Sequence, residues 1–266
     1  MYEFNYHKAN SVADAVAFLS KNPDAKPLAG GQTLVAAMKL RLASPSDMVD
    51  LSGIRELTGI KVDSGGVTIG AMTTHAAVAS SKEVTKAIPA LAKLAGGIGD
   101  RMVRNLGTLG GSVANNDPAA DYPAAVVGLG ASIQTNKRKI AADEFFTGMY
   151  ETALQPAEII TSIAFPQPRR AAYAKFRNPA SRYAIVGVFV AETANGVRVA
   201  VTGAAPCVFR VPEMEKALKS SFSAKAIESI KVPAANLNSD LHASAEYRAH
   251  LIGVMAKRAV EQALAG

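Results

Sequence analysis

Two short segments of this 266-residue chain combine paired glycines with hydroxyl residues: Ala29-Gly30-Gly31-Gln32-Thr33 and Thr108-Leu109-Gly110-Gly111-Ser112. A diglycine presents successive backbone N–H groups with no Cβ in the way. That makes an anion-binding concavity, reinforced where a helix begins. Two such loops brought together predict a grip on one diphosphate, with Thr33, Thr108 and Ser112 as added hydroxyl donors. Taken singly, each diglycine reads equally well as a tight turn. Neither segment is a GxGxxG fingerprint and no GxxxxGK[ST] occurs, which disfavours a Rossmann nicotinamide site and a P-loop. Asp117 and Asp121 lie four apart beside the second segment. Carboxylates accept hydrogen bonds from hydroxyls and are poorly placed against phosphate, so a ribose or ribityl hydroxyl is the expected partner. The local alternative makes Asp117 a turn residue and Asp121 a helix N-cap. Gly110-Gly111-Ser112-Val113-Ala114 misses the GxSxG pattern at its last position, which disfavours a serine hydrolase.

Composition narrows the class. Hydrophobic residues make up 49% and charged residues 19%, enough for a sizeable core in one or two domains. No apolar run approaches the roughly 18 residues of a membrane span, and the N-terminus MYEFNYHKAN lacks a secretory pattern, which points to the cytoplasm. The single cysteine, Cys207, excludes an internal disulfide and an iron–sulfur cluster held by this chain's own thiolates. The four histidines show no ligand spacing, so no metal site is expected. The net charge of +7 is scattered, with Lys137-Arg138-Lys139 and Arg169-Arg170 its densest runs, and tryptophan is absent. Nucleic-acid binding needs a concentrated patch with aromatic interleaving, so a phosphorylated cofactor or an acidic protein partner fits better.

These residues need elements to position them. A helix is expected from Asp14 with Ser11 as its N-cap. An extended piece then runs through Gly30-Gly31 into a helix over Leu34 to Leu42. Asp47 to Leu51 and Val67 to Gly70 read as strands, and Ile88 to Ile98 as an alanine-rich helix. Residues 96–121 hold six of the 21 glycines and three aspartates. Asp121 opens an apolar helix; Ser132 to Thr135 and Glu158 to Phe165 read as strands. Pro166-Gln167-Pro168-Arg169-Arg170 is the expected boundary. Beyond it come strands over Ala172 to Phe176, Ala184 to Ala191 and Val197 to Thr202, the last two a hairpin through Ala194-Asn195-Gly196. Helices follow at Val211 to Lys219, Ala224 to Ile230 and Ser244 to Ala265, the last with Leu251, Val254, Met255, Ala259 and Leu264 on one broad face. The fold class is α+β.

In order along the chain, Pro27 to Thr33, Asn105 to Gly111, Asn116-Asp117-Pro118-Ala119-Ala120-Asp121, Glu158 to Thr161, Lys175-Phe176-Arg177 and Ser181 to Val186 resemble the FAD-binding medium subunit of the molybdenum hydroxylases. That group includes carbon monoxide dehydrogenase and xanthine dehydrogenase. The resemblance covers nearly the whole chain. It implies an FAD domain of the vanillyl-alcohol-oxidase and p-cresol methylhydroxylase type over residues 1–168, with subdomains of about 1–55 and 56–168. A C-terminal domain with a three-stranded antiparallel sheet and helices is implied for 169–266.

Residue by residue, the resemblance implies that Ala29, Gly30, Gly31, Gln32 and Thr33, with Thr108 to Gly111, wrap the FAD diphosphate through backbone amides. Ile98 matches an apolar position beside the flavin, Asp121 the carboxylate that binds cofactor hydroxyls, with Asp117 beside it, and Ile160 a position near the adenine. Lys175 matches a lysine close to the isoalloxazine, and Tyr183 a tyrosine covering the ring; these two are the expected catalytic residues. By type alone, Lys175 reads as a surface lysine and Tyr183 as an ordinary strand aromatic. Where the family often carries His, this chain has Gln32, which forms no histidyl–flavin bond, so non-covalent FAD is expected. The extra four-cysteine cluster of some relatives is excluded by the lone Cys207.

The implied function is electron transfer. A large partner subunit would hold the molybdopterin cofactor, a small one two [2Fe–2S] clusters, in a dimer of heterotrimers, with FAD passing electrons to NAD, a quinone or oxygen. Two other readings stand beside it: a docking scaffold with a vestigial flavin site, and a stand-alone flavin reductase using NAD(P)H.

Overall fold

The computed structural model describes residues 1–266. The N-terminal part is a three-stranded parallel sheet in which Asp47–Asp50 lies between Asn5–Lys8 and Lys26–Leu28. Parallel neighbours need a crossover, and the first is the helix Val12–Lys21, started by the Ser11 side chain accepting from Asp14 N–H. The chain leaves Lys26–Leu28 through the first diglycine into the short helix Leu34–Lys39. A small core of Ala15, Leu19, Val49, Leu51, Ile54 and neighbours closes this unit.

The second unit is a five-stranded antiparallel sheet ordered Ile60–Asp63, Gly66–Gly70, Ile160–Pro166, Ser132–Thr135, Lys139–Ala141. Ile60–Asp63 has no counterpart in the sequence reading. It is an exposed edge strand, so its side chains carry almost no hydrophobic alternation to detect. A Ser64-Gly65 turn joins it to the next strand as a hairpin, with Asp63 paired to Gly66. Six helices cover this sheet between Thr74 and Leu129. Two of them, Arg101–Leu106 and Leu109–Asn115, lie inside the glycine-rich stretch where no helix is expected from propensity. Caps start them: the Asp100 carboxylate accepts from Val103 N–H, and the Thr108 hydroxyl oxygen accepts from Gly111 N–H.

The C-terminal sheet is antiparallel and four-stranded, not three-stranded: Arg170–Arg177, Ala184–Thr193 and Gly196–Thr202 are joined by the two-residue strand Phe209–Arg210. A strand that short gives no periodic signal. Ala184–Thr193 is buried at eight consecutive positions because both of its faces are covered. Phe189 and Ala191 enter the core shared with the five-stranded sheet, while Val186, Val188 and Val190 face the helices Pro212–Ser220 and Ala245–Ala265. On the long helix Leu251, Met255 and Ala259 are buried as expected, but Leu264 is half exposed and Ile252, Ala256 and Val260 complete the buried face. The expected helix over Ala224 to Ile230 is a single 3-10 turn, Ala224–Ile227. No helix is long and apolar enough to cross a membrane.

Candidate functional site

The two glycine segments meet. A Cβ built on Gly111 would lie 3.3 Å from the Ala29 Cβ, and one on Gly30 would overlap the Leu106 carbonyl oxygen and stand 2.7 Å from the Gly107 Cα. Gly31 has φ +68°, a left-handed backbone that favours glycine. Between them opens a cleft of about 640 Å³, lined from the first segment, the Leu109–Asn115 helix, the start of the Ile160–Pro166 strand and the loop at residues 181–183. The backbone N–H groups of Ala29, Gly30, Gly31, Gln32, Thr33 and Leu34 donate to no acceptor in the protein. Six successive donors left open at a cleft wall are what an anion needs.

The second segment is used differently from its expected role. Leu109 N–H donates to Thr73 O at 3.0 Å, Gly110 N–H to Ala71 O at 2.8 Å and Gly111 N–H to the Thr108 hydroxyl at 3.1 Å. Those amides are committed inside the fold. The glycines at 110 and 111 instead allow close approach: a Cβ at Gly110 would stand 2.5 Å from the Ala71 Cβ. Only the first segment supplies a free row of amides.

Asp121 lines the same cleft at 4% exposure. It occupies the N-cap position of Tyr122–Gly128, yet its side chain makes no capping bond. One carboxylate oxygen accepts from the Tyr173 hydroxyl, the other from Lys175 Nζ at 3.0 Å. Burial pushes the Asp121 carboxyl upward, while the Lys175 ammonium and the Tyr173 hydroxyl favour the anion. Lys175 is neither a surface lysine nor a cleft residue. Its remaining ammonium protons go to Gly97 O and Arg182 O, each at 3.0 Å, which ties the Arg170–Arg177 strand to the turn at residues 97–99 and to the loop at 178–183.

Of the other expected residues, Gln32 and Thr33 are exposed on the cleft wall and Ile98 and Ile160 line its apolar parts. Asp117 does behave as a turn residue, accepting from Ala119 N–H at 2.8 Å, while still facing the cleft. Tyr183 is not in a strand. It ends the loop after Asn178, is 46% exposed and leans over the cleft mouth. Burial of its hydroxyl end, with Asp117, Tyr150 and Asp121 nearby, raises its pKa.

Tyr150, Glu158 and His75 also line the cleft, and the sequence reading gave none of them a site role. Tyr150 has φ +57° and faces Asp117. Glu158 is held by Arg138 at 3.0 Å, by Thr135 and by Gln155 N–H, which together bring its carboxyl down to about 2. His75 is buried with Nδ1 unpartnered, and burial, with Arg104 near, lowers its pKa to about 4. Because the folded value lies below the unfolded 6.5, stability present at neutral pH is lost as pH falls through that window, by roughly 2–3 kcal/mol at pH 4.5. His75→Leu should remove most of that pH dependence in urea unfolding compared at pH 7.5 and 4.5.

Residues 2–168 match the family model of the FAD binding domain in molybdopterin dehydrogenase, and residues 171–263 that of the CO dehydrogenase flavoprotein C-terminal domain. The chain belongs to the FAD-binding medium subunits of the molybdenum hydroxylases. It is 38% identical to the carbon monoxide dehydrogenase medium chain of Afipia carboxidovorans, over 98% of this chain and 97% of that one. It is 35% identical to the nicotine 6-hydroxylase medium subunit of Paenarthrobacter nicotinovorans, over 97% and 96%. Among solved structures, reconstituted CO dehydrogenase from Oligotropha carboxidovorans superposes with a TM-score of 0.90 at 36% identity, covering 99% of this chain and 98% of that one.

As a medium subunit the chain is a flavoprotein component of an oxidoreductase, and its cleft fits FAD. The open amide row suits a diphosphate, the walls at Gly30 and Gly110 admit no Cβ, and a buried carboxylate with spare lone pairs suits cofactor hydroxyls.

Proposed function

We propose that this chain is the electron-transfer flavoprotein subunit of a cytoplasmic molybdenum-containing hydroxylase or dehydrogenase. It would act with a large molybdopterin-binding subunit and a small [2Fe–2S] subunit, in a dimer of heterotrimers. The observation that carries this reading is the row of open N–H groups from Ala29 to Leu34 facing the second glycine segment across the cleft. FAD, when bound, supplies the exchange between one-electron donors and a two-electron acceptor such as NAD.

The chain's own residues bind and orient. The Ala29, Gly30, Gly31, Gln32 and Thr33 amides hold the diphosphate, with Thr108, Gly110 and Gly111 as the opposing wall. Asp121 accepts from a cofactor hydroxyl, Asp117 shapes the adjoining turn, Ile160 packs on the adenine side and Ile98 beside the ring. Tyr183 covers the ring and limits water. Lys175 acts from behind, holding Asp121 and the turn at residues 97–99. Gln32 leaves the cofactor non-covalent. The units 1–168 (subdomains about 1–55 and 56–168) and 169–266 belong to the same reading, and the cleft takes wall residues from each.

The test is purification of the chain alone and with its partners. We expect flavin absorption bands, release of free FAD on denaturation, fluorescence quenching on re-addition, and bleaching of the bands when the complex meets its substrate. A chain that neither retains FAD nor quenches it overturns the reading.

A further inference from the structure

Asp121 is held by a residue outside every motif described above. The Tyr173 hydroxyl donates to one Asp121 oxygen from a ring that is itself buried. Tyr173 and Lys175 sit two apart on the Arg170–Arg177 strand, so their side chains share one face and reach the same carboxylate, one oxygen each. The route of that hydroxyl depends on Gly187 in the neighbouring strand. A Cβ there would overlap the Tyr173 hydroxyl and stand 2.8 Å from its Cζ. Gly187 pairs with Lys175, two residues along from the Tyr173–Phe189 pair and on the same face of the sheet, in the middle of a β-branched run where glycine is otherwise unfavourable. The tyrosine ring stacks on Phe189 with centroids 6.2 Å apart, which fixes its plane.

We propose that Tyr173, admitted by Gly187, is the positioning residue that aims the Asp121 carboxylate into the cofactor cleft. This rests on the FAD site proposed above. With one donor on each oxygen, the carboxylate cannot rotate, and the lone pairs left over face the cleft. Lys175 alone would anchor a single oxygen and leave the plane free. The titratable groups facing Asp121 are Tyr173 and Lys175 from the sheet, Tyr122 beside it in the chain and Tyr183 across the cleft. Among these only Tyr173 and Lys175 hydrogen-bond to it.

The experiment measures FAD affinity of the full chain by fluorescence quenching between pH 5 and 8. Tyr173→Phe keeps the ring and removes the donor. We expect FAD to bind about ten-fold more weakly at pH 7.5, the size of one hydrogen bond to a charged group. Losing a donor to the anion raises the Asp121 pKa, so the acid-side fall in affinity should begin at higher pH than in the wild type. Gly187→Ala, which displaces the hydroxyl, should reproduce both effects. The Tyr173→Phe/Gly187→Ala double variant should be no weaker in FAD binding than the weaker single variant. Wild-type affinity and pH profile in Tyr173→Phe, or a loss equal at every pH, overturns this proposal alone. A wild-type chain that does not bind FAD overturns the cofactor site on which it rests.

Discussion

Gly30→Ala is expected to purify without FAD. The alanine Cβ would fall on the Leu106 carbonyl oxygen and within 2.7 Å of both the Leu106 carbonyl carbon and the Gly107 Cα. All three are backbone, so no rotamer change relieves the overlap. The end of the Arg101–Leu106 helix must move away from the first glycine segment, and the two walls of the cleft separate. The amides of Ala29 to Leu34 then lose their alignment, because a nest of N–H groups binds an anion only while the groups converge. We expect FAD affinity to fall at least 100-fold, read as the flavin-to-protein absorbance ratio and by fluorescence quenching. Stability should fall by about 1–3 kcal/mol, the usual cost of forced overpacking. Gly253→Ala is the control. No atom lies within 4 Å of a Cβ there, in the middle of the Ala245–Ala265 helix, so the change should leave FAD binding intact and stabilise slightly. Equal flavin content in the two variants would refute the close-approach account of Gly30.

Lys175→Met should cost more stability than any single cleft substitution. It strips the partner from a buried carboxylate and leaves the Gly97 and Arg182 carbonyls without their ammonium donor. Breaking a buried pair from one side typically costs about 3–5 kcal/mol, which for a chain of this size corresponds to roughly 6–20 °C in Tm. The pH dependence carries a sign. Asp121 is already raised by burial, and losing the ammonium raises it further. A folded carboxyl above its unfolded value is most favourable when protonated, so the deficit should be largest near pH 8 and shrink toward pH 5. Lys175→Met/Asp121→Asn should recover a large part of the loss, since the uncompensated charge is gone. A deficit of the same size at pH 5 and pH 8 would show that Lys175 acts by packing and not by charge.

Some of the site is readable from residue types alone. The diglycines and Asp121 stand out because close backbone approach, open amides and a carboxylate beside them are local requirements written into local residues. The helix Leu109–Asn115 is not readable in this way. Its two glycines argue against a helix, and only the Thr108 cap and the contact with Ala71 make it one. Lys175 is identifiable as a position by resemblance, yet its chemistry reverses on folding: the expected flavin neighbour is a saturated tie between three segments. Tyr173, Gly187 and His75 carry no local signal, because their roles come from atoms on other segments of the chain.

The amino-acid sequence by itself determined the α+β class, the family, the absence of a cysteine-built cluster and the two glycine segments that line the cleft. These follow from composition and from short motifs whose physics is local. Tertiary structure alone decided which amides remain free, which carboxylate is buried with which cation, and which glycine makes room for which hydroxyl. Such properties depend on distances between segments far apart in the chain. A hydrogen bond or a steric overlap is settled within a fraction of an ångström, and residue order does not specify separations at that scale until the sheets have packed.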